Sequence, residues 1–280
     1  MIKFGPSGNE EAYYNQYKTS DMSSEYVKSL GLTAFEYSFG RGVNISDASC
    51  QKLGKTFSDN NIELSVHAPY FINLANEDTE MVLKSYKYLI DSAKKAQIFG
   101  AKRVIFHPST QGKLDRKTAV ELTKNRLTEF TNLVYKEGLN DICFCPETMG
   151  KLAQIGTIEE IVNFCAIDSI YLPTIDFGHI NAREQGSLTT KLDYETRISY
   201  ILEVLGERAK NFHIHFSKIE YTAKGEKKHL TFDDEVYGPD YKPMLQAIKS
   251  LKVEPVIICE SSGTQARDAK IMKEYFESLK

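Results

Sequence analysis

Asp176 and His179 close the stretch "IYLPTIDFGH", an apolar run that ends in a carboxylate and an imidazole three residues apart. Similar endings recur along the chain. His67 closes "IELSVH", His107 follows "RVIF", Glu147 follows "ICFCP", His215 sits in "NFHIHF" and Glu260 follows "VIIC". Four of the six histidines, His67, His107, His179 and His215, thus stand at the ends of apolar runs. One histidine in such a place is usually a satisfied core or surface residue. A set of carboxylates delivered to one place is different, because unpaired carboxylates repel one another. Divalent cations relieve that repulsion, and mixed imidazole and carboxylate donors suit zinc or manganese better than calcium. His213 lies two residues before His215, so both side chains leave the strand on one side. It reads as a deeper, supporting residue rather than a ligand.

Whether these ends meet depends on the elements that carry them. Apolar runs at 2–5, 34–39, 62–69, 103–108, 142–148, 170–179, 211–217 and 256–263 read as strands. Their centres are spaced by the length of a βα unit. Between them, "EMVLKSYKYLIDSAKKAQIFGA" places apolar residues at helical spacing and stops at Gly100, and "DRKTAVELTKNRLTEFTNLVYKEG" does the same and stops at Gly138. Strands alternating with helices at this length predict an α/β fold, a (β/α)₈ TIM barrel forming a single domain over residues 1–280. A doubly wound open sheet would carry a glycine-rich phosphate loop after an early strand, and "GRG" at Gly40–Gly42 is too short for one. In a barrel all strands run the same way, so their C-terminal ends converge on one face.

Bulk properties narrow the function classes. The 280 residues carry a formal net charge of −3, with 41% hydrophobic and 26% charged residues. The pI of about 6.1 excludes a globally basic nucleic-acid binder but leaves room for a local basic face. No apolar run has the length of a membrane span, and the N-terminus does not read as a signal peptide. A cytoplasmic protein is expected. Cys50, Cys143, Cys145, Cys165 and Cys259 are odd in number and lack zinc-ribbon spacing, so they read as buried reduced thiols.

The segments "VHAPYFINL", "FHPST", "PETMG", "DFGH", "HFSK" and "ICES", taken in order, resemble the motifs of the endonuclease IV family, metal-dependent apurinic/apyrimidinic endonucleases on a xylose-isomerase-like TIM barrel. The resemblance implies three metal positions. His67, His107 and Glu147 would hold the first. Glu147 would bridge to the second, completed by Asp176, His215 and Glu260. His179 and His229 would share the third. Two to three zinc ions are implied, with manganese an alternative. The family carries Asp-x-His at the third position, whereas "KGEKKHL" puts Lys227 two residues before His229. An ammonium cannot ligate a cation. Three outcomes stand open: the third ion binds through Glu226 after a one-residue shift, binds weakly, or is replaced by the Lys227 charge near the phosphate.

The implied reaction is hydrolysis of double-stranded DNA 5′ to abasic sites, leaving a 3′-hydroxyl and a 5′-deoxyribose phosphate, with Glu147 as the central catalytic carboxylate. Arg41, Tyr70 and Phe71 would enter the DNA, with Asn73 in the same loop. Lys218 and Lys227 would contact the backbone, in a basic crescent with Lys113, Arg116, Lys117, Lys224 and Lys228. A monomer without a protein partner is expected. Two alternatives stand beside this one: a sugar isomerase or epimerase on the same barrel, and a non-catalytic lesion-binding protein with a degraded site.

Overall fold

Side chains alternate along a strand, and this alternation decides what the fold places at its centre. The computed structural model describes residues 1–279. Among these, eight strands run parallel around a barrel: β1 (Lys3–Pro6), β2 (Ala34–Ser38), β3 (Glu63–His67), β4 (Arg103–Phe106), β5 (Cys143–Pro146), β6 (Thr174–Asp176), β7 (His213–Phe216) and β8 (Val256–Cys259). One arc pairs in the order β2-β3-β4-β5 and the other in the order β1-β8-β7-β6. Parallel bridges Ser7–Glu36 and Glu147–Thr174 close the two seams. The barrel predicted from strand spacing is the observed fold.

One residue set of each strand builds the hydrophobic core under the surrounding helices, including Phe35, Val66, Phe106, Phe144, Ile175, Ile214 and Phe216. The alternate set faces the barrel axis. Ala34, Val256 and Ile258 form a small apolar cluster in that interior. Beside it stand the buried polar groups Glu36, Ser65, His213 and His215, with His213 and His215 in register with Val256 and Ile258. The outer helices include Thr79–Phe99 and Arg116–Lys136, with Gly100 and Gly138 at positive φ just beyond them, as the sequence pattern predicts. Thr157 and Glu160 form a capping box on the helix Ile158–Cys165, and Thr190 and Asp193 form another on Lys191–Leu205.

The stretch 170–179 departs from expectation. Only Thr174–Asp176 is strand, and Phe177–Arg183 is a short helix. Asp176 caps that helix, its Oδ1 accepting the His179 N–H at 2.7 Å. His179 is therefore the third residue of a helix, not a strand end. The local cap outweighs the apolar run that suggested a longer strand. After β7 a hairpin rises from the same face, Ile219–Thr222 paired with Gly225–His229. No helix among the described residues is long and apolar enough to cross a membrane.

Candidate metal centre

β3, β4 and β5 deliver His67, His107 and Glu147 to one corner of the barrel mouth. The Nε2 atoms of His67 and His107 each lie 3.2 Å from Glu147 Oε2. The other oxygen, Glu147 Oε1, lies 3.1 Å from His215 Nδ1, and that nitrogen is 3.6 Å from Glu260 Oε2. Asp176 completes this second set. His179, Glu226 and His229 make a third, with His179 Nε2 3.5 Å from Glu226 Oε2 and His229 Nε2 4.0 Å from Glu226 Oε1. Within each set the donor atoms lie within 4.8 Å of one another, close enough to share one cation. Glu147 belongs to the first two sets.

The imidazoles are oriented for this. His67 Nδ1 is 2.8 Å from the carbonyl oxygen of Ala68, and His179 Nδ1 is 2.9 Å from that of Thr148. His229 Nδ1 is 2.8 Å from Ser217 Oγ. Each contact fixes one nitrogen and turns the other toward the carboxylates.

A bulge builds the third set. Tyr221 pairs with Glu226 and Glu220 with Lys228, so Lys227 is the extra residue on its strand. The inserted residue shifts the alternation by one, bringing Glu226 and His229 to the same side although they are three apart. Lys227 points elsewhere: its ammonium donates to Glu220 Oε1 at 2.6 Å on the exposed side. The Lys227 charge is thus not at the site, which corrects the expectation that it could serve beside a phosphate there. Gly150 leaves room for this hairpin, since a Cβ there would sit 2.6 Å from Glu226 Cβ and 3.0 Å from His179 Cδ2.

The charges interlock. Burial alone would raise the Glu147 carboxyl, but His215, His107 and His179 outweigh it and hold it well below the usual carboxylate range. Burial pushes the Asp176 carboxyl up; His179 opposes this, while the charges of Glu147 and Glu260 add to it. Burial opposes charge on His67, yet Glu147 lifts it to about 9. His179 and His215 are likewise held well above the ordinary imidazole value, against burial, by the carboxylates around them. Protons thus balance the carboxylates where cations could, so cation binding would release protons. Asp176 Oδ2 is fully buried without a hydrogen-bond partner, an expense a bound cation would remove. The residues present therefore fit divalent cations.

Residues 24–280 match the family described as Xylose isomerase-like TIM barrel. The chain belongs to that family. An uncharacterised protein of Methanocaldococcus jannaschii is 32% identical over 278 residues, 99% of this chain and 98% of the relative. A probable endonuclease 4 of Enterococcus faecalis is 28% identical over 211 residues, 70% of this chain and 68% of the relative. Among solved structures, endonuclease IV from Thermus thermophilus superposes with a TM-score of 0.72 at 17% identity, covering 99% of this chain and 100% of that one. A 3-keto-D-glucoside 4-epimerase from E. coli superposes with a TM-score of 0.71 at 11% identity, covering 100% of both. At such identities these structures speak to the fold alone. The resemblance to endonuclease IV holds, at modest identity, within a superfamily of enzymes.

In this xylose isomerase-like barrel the centre opens into a cleft of about 420 Å³, lined by members of all three sets together with Tyr70, Met149 and Lys151. Arg41 Nε donates to the Tyr70 hydroxyl at 3.1 Å, so the second and third loops meet at the rim. Tyr70 and Phe71 pack with ring centroids 4.6 Å apart, and each is 49% exposed. Other expected DNA contacts are spent inside the protein. Asn73 Oδ1 accepts the N–H groups of Ala75 and Thr110. The Lys218 ammonium donates to the carbonyls of Phe232 and Asp234. Arg116 forks onto Glu160 and the carbonyls of Leu152 and Gln154. Loops need internal donors to satisfy their carbonyls, and these side chains supply them.

Sequence reasoning missed Lys151, a lone charge in a loop, and Glu36. The signal for Glu36 was present: a carboxylate in the middle of the apolar strand "AFEYSF". It is fully buried, with His213 Nε2 3.1 Å from Oε2. Burial would raise its carboxyl, but His215 and His213 hold it well below the usual range. His213 itself is drawn down to about 4 by burial, against the pull of Glu36. Glu36, His213 and His215 form a fourth group of donors within 4.8 Å of one another, fully buried behind the cleft.

Proposed function

We propose that the protein is a metal-dependent DNA-repair endonuclease that hydrolyses the phosphodiester 5′ to abasic sites, leaving a 3′-hydroxyl and a 5′-deoxyribose phosphate. The observation that carries this reading is the number and sharing of donors: two sets joined through Glu147, with a third beside them. That is more than a one-ion isomerase requires. His67, His107 and Glu147 would hold one zinc ion, Glu147, Asp176, His215 and Glu260 a second, and His179, Glu226 and His229 a third. Bound ions would neutralise charge on the phosphate and lower the pKa of an attacking water. Glu147 keeps its two oxygens turned to different donor sets, fixing their separation. Its depressed carboxyl stays ionised at neutral pH, as a shared ligand must. Lys151, in the wall of the cleft, offers a cation to a phosphate oxygen. Arg41 and Tyr70, joined at the rim, and Phe71 beside them offer flat surfaces to fill the gap of a missing base.

A second reading is a sugar epimerase. The set Glu147, Asp176, His215 and Glu260 has three carboxylates and one imidazole, enough for a single ion, and a cleft of about 420 Å³ also admits a monosaccharide. It leaves His67, His107 and the bulge-built third set without work. Incubation with a duplex oligonucleotide carrying one tetrahydrofuran abasic analogue tests the choice. We expect a single incision 5′ to the analogue by the zinc-loaded protein, lost in Glu147→Gln. An intact duplex together with epimerisation of a ketose would establish the second reading.

A further inference from the structure

His215 is set apart from His67, His179 and His229, because what lies behind it is a buried carboxylate rather than a carbonyl or a hydroxyl. Its Nε2 lies 3.0 Å from Glu36 Oε1, and both residues are fully buried. As placed, neither atom makes an aligned hydrogen bond, with the other or with any further group. Leaving a buried nitrogen and a buried carboxylate oxygen both unsatisfied would be costly, and at 3.0 Å a small reorientation lets each satisfy the other. The rest of Glu36 is anchored. Ser65 Oγ donates to its Oε2 at 2.8 Å, and His213 Nε2 lies 3.1 Å from the same oxygen. Strand periodicity assembles the group, since Glu36, Ser65, His213 and His215 occupy axis-facing positions of β2, β3 and β7, and Glu36 also bridges the β1–β2 seam through its backbone.

We propose that Glu36 is the positioning residue of the metal centre. It takes the Nε2–H of His215, which leaves the Nδ1 lone pair facing Glu147, Asp176 and Glu260, while Ser65 and His213 hold Glu36 in place. A ring free to rotate or to carry its proton on Nδ1 would present N–H, not a lone pair, to a cation. Carboxylates behind ligating imidazoles fix tautomer and raise basicity, and their loss typically costs about 10- to 100-fold in metal affinity. The inference rests on reading the centre as a cation site but not on the substrate.

The test uses Zn²⁺ and nitrogen-15 NMR of the histidine rings. In the zinc-loaded wild type His215 should show the Nε2–H tautomer alone. Glu36→Gln keeps the volume and one acceptor oxygen; zinc affinity, read by competition with a chromophoric chelator, should fall about tenfold. Glu36→Ala should fall further, with His215 showing mixed tautomers. If Glu36→Ala does not fold, the wild-type tautomer and the Gln variant decide. A wild-type Nδ1–H tautomer, or zinc affinity unchanged within about twofold in the variants, would overturn the inference. A wild type that binds no zinc overturns both this inference and the cation reading. Failure to cut abasic DNA, with the zinc results as expected, sinks the proposed substrate alone.

Discussion

At the scale of single residues, two adjacent side chains in the hairpin have opposite fates. Glu226 faces the cleft beside His179 and His229, and Lys227 faces outward onto Glu220. Glu226→Ala should therefore remove about one equivalent of bound zinc, because two imidazoles alone make a weak site. Lys227→Asp should leave the zinc content unchanged, since the new carboxylate would point away from the donors. Elemental analysis of the purified proteins measures both. A gain of about one equivalent in Lys227→Asp would mean that the bulge does not persist in solution.

At the scale of elements, caps and bulges do the placing. Asp176 ends β6 and caps the helix Phe177–Arg183 that follows at once, and the first turn of that helix brings His179 into the third set. Gly150 lets the loop after β5 lie against the hairpin, with the Glu226 N–H donating to the Gly150 carbonyl at 3.1 Å. Gly150→Ala should cost ~1–3 kcal/mol of stability through overpacking and lower zinc retention at the third set. Chemical denaturation and zinc analysis would measure the two effects. Elsewhere the capping box on the helix Lys191–Leu205 carries a pH signature. Backbone N–H groups of Thr190 and Thr189 hold the Asp193 carboxyl at about 2, below its unfolded value of 3.8. A depressed carboxyl stabilises the fold above its unfolded value and stops doing so as pH falls through the folded value. Asp193→Asn should thus lower stability at neutral pH and narrow its gap to wild type between pH 3.8 and about 2. Melting curves by circular dichroism across that range are the check.

At the scale of the whole molecule, the basic crescent is thinner than its sequence suggests. Arg116, Lys218, Lys227 and Lys228 are engaged with protein groups. Arg41, Lys113, Lys117, Lys151 and Lys224, on the loops and helix start of the same face, have no carboxylate partner among the described residues. If all five contact phosphates, the slope of log affinity against log salt should be no steeper than about −4.5. Lys151→Ala should flatten it by about one unit. Fluorescence anisotropy with an abasic duplex at several salt concentrations would measure both.

The barrel was legible because its signals are local and repeated: strand runs, helical spacing and stop glycines recur at βα length. The donors were legible for a related reason. A carboxylate or imidazole ending an apolar strand must, in a closed parallel barrel, emerge on the same face as every other such ending. What the sequence could not determine depends on direction rather than type. A bulge that re-aims Glu226, inward-turned lysines and arginines, and a buried carboxylate behind His215 all follow from pairing partners distant in the chain. The sequence by itself settled which residue types reach the mouth. Only the tertiary structure decided which face the cleft and which are spent on the protein, because strand register and loop carbonyls set the direction of each side chain.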